Sequence, residues 1–502
     1  MKMNILTNKW IILIFILAVA GIIIFTNFLT RPKIWSDEGL MVQLARNRAE
    51  AGEMKIAVGP NQFSPNQHYF NSSAGWVAPA SVALFFKILG VSFFNARLAM
   101  AFYLLGLIAV VFLLACRLWG LKTAIFSSLL LVSFAPLYGN GKSVLAEVPA
   151  LFWLALGFYL YEVLRSKPML QSILSGLGFG MFFAAKPAYL ILGLPVLAVV
   201  HLITLLRTRK DAITFAAAKV ILFWLLIFLV IAPTIWRGVI HPINFENILK
   251  TAGYYSNNYG SPCVSCDIQR NLSLFLTHKT LWHLAFLIIV AGLYLILNRK
   301  EFLKEWRIQW LAIFGLFVLF YFLKSPAVFR YFFPLQIILL CVLPFCLLRI
   351  FEKIKPNFLW IGYAAVAILI IIQFVHLGWF KTMYHSTAPV FLEQYIKENI
   401  LPTDKIVGII GSPVAAAAMP AGRYYQFVQF VTSESFGITD GINALDLPDE
   451  SLPDYLIYQT PFFIFRGDTD YYARRIETFY EQAVIFQDYI VMEKKSCQDC
   501  QF

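Results

Sequence analysis

A few residues past an apolar run that ends at Leu29, the sequence reads Trp35-Ser36-Asp37-Glu38-Gly39, with two adjacent carboxylates. A carboxylate just outside a bilayer can take a proton from an acceptor hydroxyl or amine while a lipid-anchored donor keeps its phosphate in the headgroup layer. The same pair suits the first turn of a helix starting near Gly39, where acids meet the positive end of the helix dipole; on spacing alone that is the simpler account. A second acid, Glu147, stands with Lys142 in GKSVLAEVP, and a Glu just before Pro149 also favours a helix N-terminus. Cations recur in the same kind of position: Lys186 in AAKPAY, then Lys324, Arg330 and Tyr331 in KSPAVFRYFFP. At that depth a cation needs an anion, supplied either by lipid phosphates in general through snorkelling or by one bound polyprenyl-phosphate. Arg330 suits phosphate best, because a guanidinium offers a planar fork of donors.

The elements that hold these residues are apolar helices. Of 502 residues, 59% are hydrophobic and 14% charged, against about 25% charged in ordinary soluble domains. Runs long enough to cross a bilayer occur at 10–29, 97–118, 123–138, 148–164, 173–185, 188–206, 215–235, 281–297, 309–323, 332–348 and 358–378, about eleven in all. The first is too long for a signal-peptide core and lacks a small-residue cleavage site, so it reads as an uncleaved anchor. With the N-terminus in the cytoplasm, every short basic loop falls inside: Arg117 and Lys122, Arg165 and Lys167, Arg207 to Lys210, Arg299 to Arg307, and Arg349 to Lys355. That placement accounts for much of the net charge of +13 without nucleic acid.

The longer segments 30–95, 139–147, 236–279, 324–331 and 379–502 then lie outside, where chemistry can be housed. Within the first, 78–89 is apolar but too short to span, and reads as an interfacial helix. The sequence divides into a membrane part, 1–378, and an extracytoplasmic soluble α/β domain, 379–502. In the latter, 388–399 and 470–482 have helical patterning, and 405–410, 455–458 and 483–492 read as strands.

Cys116, Cys341 and Cys346 fall inside apolar runs and read as packing. Cys263/Cys266 and Cys497/Cys500 form two C-x-x-C pairs on the oxidising side, where disulfides within or between the pairs are expected, ahead of a four-thiolate zinc site. His68, His241 and His278 share that side but lack ligand spacing, so no metal or other cofactor is called for.

WSDEG after the first span, the interfacial segment leading to NARLAMAFYLL, GKSVLAEVPALFWLALGFYLY, GLGFGMFFAAKPAYLILGLP and RYFFP together resemble the GT-C glycosyltransferases. The likeness runs in order over roughly 5–348 and is nearest to the protein O-mannosyltransferase and aminoarabinose transferase branch. The resemblance implies a polyprenyl-phosphate-sugar donor, inverting transfer, and a lipid, glycan or protein acceptor. Carried onto this sequence, it makes Asp37 the base, with Glu38 beside it and Glu147 as the second-loop acid. Lys186 and Arg330 would face the donor phosphate, with Tyr331 beside them. A bacterial inner or plasma membrane is the expected location.

Two other classes fit the span count: a secondary transporter, and a non-catalytic assembly protein of cell-envelope polysaccharide export. Transporters place ionisable groups or broken helices near the bilayer centre. Here the spans are almost free of charge at mid-depth and the suggestive charges gather at outer ends, which favours an interfacial enzyme.

Overall fold

Inside a bilayer no water is present to satisfy backbone N–H and C=O groups, so long apolar runs fold as helices. A computed structural model describes residues 5–64, 75–207, 213–235, 263–325, 329–354, 356–378, 385–429, 439–441, 443–460 and 469–495. Its first helices are α1 (Ile5–Phe25), α2 (Ser36–Glu50), α3 (Val77–Leu89) and α4 (Phe93–Trp119), followed by α5 (Leu121–Val132) and α6 (Ala135–Gly141). After these come α7 (Glu147–Val163), α8 (Pro168–Ala185), α9 (Pro187–Leu206), α10 (Ile213–Ile235) and α11 (Val264–Thr277). The bundle ends with α12 (Lys279–Leu297), the short α13 (Arg299–Lys304), α14 (Trp306–Leu323), α15 (Phe333–Ile354) and α16 (Leu359–Gly378).

Every one of the eleven expected spans falls on these helices. Among the described residues, eight are long and apolar enough to cross a membrane, or nine when α5 and α6, bent by 63°, count as one. The other two expected spans coincide with α1, of 21 residues, and α7, of 17. Side chains such as Ile22 (69% exposed) and Ile296 (73%) point outward, which only an apolar surrounding tolerates in this number. The bundle is therefore that of an integral membrane protein. Helix α3, with 13 residues, is too short to span, as the sequence implies; it buries Val77, Val82 and Phe86 and leaves Leu84 and Ile88 exposed.

A short hairpin, β1 (Ala57–Gly59) with β2 (Gln62–Phe63), follows α2. The C-terminal part begins with α17 (Ala388–Tyr395), prolonged by a widened turn over Ile396–Ile400. It continues through β3 (Val407–Ile410), α18 (Pro413–Ala418), β4 (Tyr424–Gln429), β5 (Thr439–Gly441), β6 (Tyr455–Gln459), α19 (Thr469–Phe479), β7 (Tyr480–Phe486) and β8 (Tyr489–Lys494). Its six strands run in the order β5-β4-β3-β6-β8-β7; β3 is parallel to β4 and β6, and the other pairs are antiparallel. The single strand expected over 483–492 is two strands, because Gln487 adopts a positive φ of 52° and turns the chain back. The helix expected to reach 482 stops at Phe479, where β7 begins.

The segment after α1 does not stand apart from this C-terminal part. Ile34, Val42, Leu44 and Ile56 lie in one apolar core with Leu392, Val407, Val414, Tyr424 and Tyr489. Polar ties reinforce it: Gln43 donates to the Tyr424 hydroxyl at 2.5 Å and to Gln426 at 2.7 Å, and the Arg46 guanidinium donates to the Ala417 carbonyl at 3.2 Å. The Ser386 N–H reaches the Thr30 carbonyl at 3.2 Å, and Lys33 pairs with Asp488.

Candidate active site at one end of the bundle

Trp35 is extended and α2 starts at Ser36, so Asp37 and Glu38 do occupy a first helical turn. Successive helical residues point about 100° apart, and the two carboxylates accordingly part company. Glu38 turns inward and takes a bidentate pair of bonds from Arg97, Nε to Oε1 and Nη2 to Oε2, both at 2.8 Å, with both side chains 0% exposed. Arg97 also donates to the Phe28 carbonyl at 2.7 Å and the Pro32 carbonyl at 2.9 Å. Glu38 thus fixes the start of α2 to the start of α4.

Asp37 stays 40% exposed at its side chain and meets Arg330, whose Nη1 donates to Oδ2 at 2.9 Å. Arg330 comes from a short helical turn, Phe329–Phe332, immediately ahead of α15, and its guanidinium lies 5.4 Å from the centre of the Trp35 ring. Its Nε stands 3.5 Å from Glu147, at the first residue of α7, and the same carboxylate oxygen takes Lys186 Nζ at 3.1 Å. Asp37, Arg330, Glu147 and Lys186 therefore form one continuous chain of charges, drawn from four separate places in the sequence. Glu147 is only 2% exposed, and its second oxygen has no partner, so an acceptor site remains open inside the cluster.

Lys186 occupies the extended break between α8 and α9. Gly75 presses on that break: it has φ +68°, and a Cβ there would stand 2.3 Å from the Ala185 carbonyl oxygen, so no side chain fits. Tyr189, three residues past Lys186, is buried and stacks on Phe182 with ring centres 5.2 Å apart. Tyr331 follows Arg330 in the same turn, 5.1 Å ring to ring from Tyr321, and Lys324 follows α14 and is half-buried. Gly39, two residues past Asp37, packs so closely on α18 that a Cβ would lie 2.7 Å from the Pro413 carbonyl carbon and the Val414 nitrogen.

Of the expected site residues, Asp37, Glu147, Lys186 and Arg330 come together and Glu38 faces away from them. Cys263 and Cys266 are joined to each other at the start of α11. His68, His241, Cys497 and Cys500 lie outside the described residues. His278 caps α12, its ring 4.4 Å from Phe329. Among the described residues no three His, Cys, Asp or Glu side chains gather as a metal would need. Sequence reading missed Arg97 and Trp35 as partners; the available signal was a lone charge at the mouth of a span, in NARLAMAF.

No protein-family model matches this sequence, and no curated protein matches it. Solved structures do. ArnT from Cupriavidus metallidurans bound to undecaprenyl phosphate superposes with a TM-score of 0.63 over 96% of this chain and 97% of its own, at 13% identity. ArnT is an aminoarabinose transferase. The chain has the GT-C fold. A second GT-C structure, the oligosaccharyltransferase AglB from Archaeoglobus fulgidus in complex with an inhibitory peptide and a dolichol-phosphate, gives a TM-score of 0.55 at 10% identity, covering 98% of this chain and 74% of its own. The ArnT match runs over nearly the whole length, so the likeness takes in the C-terminal sheet along with the bundle.

Proposed function

We propose that this protein is a glycosyltransferase that moves a monosaccharide from a polyprenyl-phosphate-linked donor to an acceptor, on the extracytoplasmic face of the membrane. The observation that carries the reading is the run Asp37–Arg330–Glu147–Lys186 at one end of an apolar bundle, in which the half-exposed Asp37 carboxylate meets Arg330 and the buried Glu147 holds Arg330 and Lys186 together. The GT-C fold, and neighbours bound to undecaprenyl phosphate and to a dolichol-phosphate, support the same donor class.

In this mechanism Arg330 and Lys186 take the donor phosphate and stabilise the charge that develops as the sugar C1–O bond breaks. Asp37 accepts the proton of the acceptor nucleophile as the new C1 bond forms from the opposite face, which inverts the anomeric centre. The polyprenyl phosphate leaves with the electron pair of the broken bond. Glu147 holds both cations in register before the donor arrives, and its unpartnered oxygen is free for a donor hydroxyl. Tyr331 and Lys324 border the phosphate position. Glu38 has a structural role through Arg97. The membrane is a bacterial inner or plasma membrane, with the N-terminus in the cytoplasm.

The test is donor consumption: purified protein is incubated with a panel of polyprenyl-phosphate sugars and each donor's loss is followed, with Asp37→Asn as control. Turnover of at least one donor that Asp37→Asn abolishes supports the reading. A chain that consumes none of the panel, or one indifferent to the substitution, overturns it and returns the transporter and assembly readings to the front.

A further inference from the structure

We infer that the turn just past α1, together with Lys142, Arg97 and Arg31, forms a second anion site that takes a phosphate group and lies apart from the Arg330–Lys186 pair. Lys142, 3% exposed, donates to the Thr26 carbonyl at 2.8 Å. Arg97, fully buried, donates to the Phe28 and Pro32 carbonyls of the same turn. Arg31 belongs to that turn, and its buried Nε has no hydrogen-bond partner. Three cations thus converge on residues 26–32. The carboxylate tied to the group is Glu38, and Arg97 takes both of its oxygens.

The charges do not balance. The last carbonyls of α1 supply about half a negative charge through the helix dipole, and Glu38 supplies one. Roughly one and a half positive charges are left over, where a buried cation without a counter-ion is costly. The charges that act on Lys142 are themselves cationic: burial first, then Arg97 and Arg31, push its pKa down to about 8. An ammonium, a guanidinium edge and that residual charge match a phosphate monoester or diester better than a neutral group. The place matches too, since α1 exposes Ile11, Ile14, Phe15, Ile22 and Phe25, and the turn follows directly at what would be headgroup level. A lipid headgroup and free inorganic phosphate both carry this chemistry.

This inference stands independently of sugar transfer, and its test reads binding alone. The full chain in neutral maltoside micelles is exposed to an amine-reactive reagent, and Lys142 modification is followed by peptide mass spectrometry with added phosphatidic acid or inorganic phosphate. An anion that raises the amine pKa by about one unit cuts the reactive fraction about tenfold at neutral pH. We expect that protection in the wild type and in Arg330→Gln, and its loss in Arg31→Gln. Protection by phosphatidic acid alone assigns a lipid headgroup, and protection by both assigns any phosphate. Absence of protection by either anion, its persistence in Arg31→Gln, or its disappearance in Arg330→Gln overturns the second site. Native mass spectrometry supplies the parallel reading: Arg31→Gln should retain one phosphatidic acid fewer than the wild type, and equal retention overturns the site as well.

Discussion

Asp37 and Glu38 are neighbours in the chain with opposite physical situations, and substitution should separate them. Asp37→Asn removes the half-exposed carboxylate proposed as the base. A general base contributes about a hundredfold to ten-thousandfold, so transfer should fall by that factor while thermal unfolding stays put. Glu38→Gln should do the reverse. It strands Arg97 as a buried cation, at a cost of about 3–5 kcal/mol, read as a clear fall in the unfolding midpoint in detergent. Lys142 sets a pH dependence of its own. Its folded pKa of about 8 lies below the usual 10.5, because of burial and the facing Arg97 and Arg31. Between those values the unfolded chain keeps a proton that the folded chain has released, so stability should rise with pH across that window. In anion-free buffer, unfolding midpoints of the wild type should climb from pH 8 to 10.5 relative to Lys142→Met, and parallel curves would remove this residue from the balance.

At the scale of elements, α2 is the part on which the site depends. Its start is held to α4 by Glu38 and Arg97, and its side is held to α18 at Gly39. Gly39→Ala puts a methyl 2.7 Å from backbone atoms of Pro413 and Val414, and neither of these can swing aside as a side chain would. Overpacking of this kind costs about 1–3 kcal/mol, and here the strain tilts the helix that carries Asp37. Steady-state kinetics should show kcat reduced more than the donor KM is raised, since the cations that would hold the donor sit on other elements. A rise in KM alone would mean that α2 contributes to binding rather than to the chemical step.

For the whole molecule, the core that joins residues 34–56 to residues 388–491 makes the membrane bundle and the sheet interdependent. A chain ended after residue 378 leaves Ile34, Val42, Leu44 and Ile56 without the Leu392, Val407, Val414 and Tyr424 that cover them. Such a truncation should elute as aggregate in size-exclusion chromatography, while the full chain is monodisperse. A well-behaved truncated species would show that the bundle closes its own surface. The arrangement also packs α2, which carries Asp37, directly against α18 of the C-terminal part.

Local sequence dictates the helical bundle and the gathering of charged residues at its ends. A run of about 20 apolar residues has to close its own backbone hydrogen bonds, and charged side chains, costly at its middle, collect at its ends. Which charges meet depends on packing between elements far apart in the chain. Asp37 finds Arg330 across 293 residues and Glu38 finds Arg97 across 59, and no local pattern distinguishes two adjacent carboxylates that differ only by a helical rotation. The strands β4 and β5, and the division of 483–492 at Gln487, likewise carry little local signal, because short strands of mixed polarity take their shape from the neighbours they pair with. The core shared by the segment after α1 and the C-terminal sheet is the extreme case. Each half is an ordinary set of apolar residues in the chain, and their common interior exists only once packing removes both faces from water.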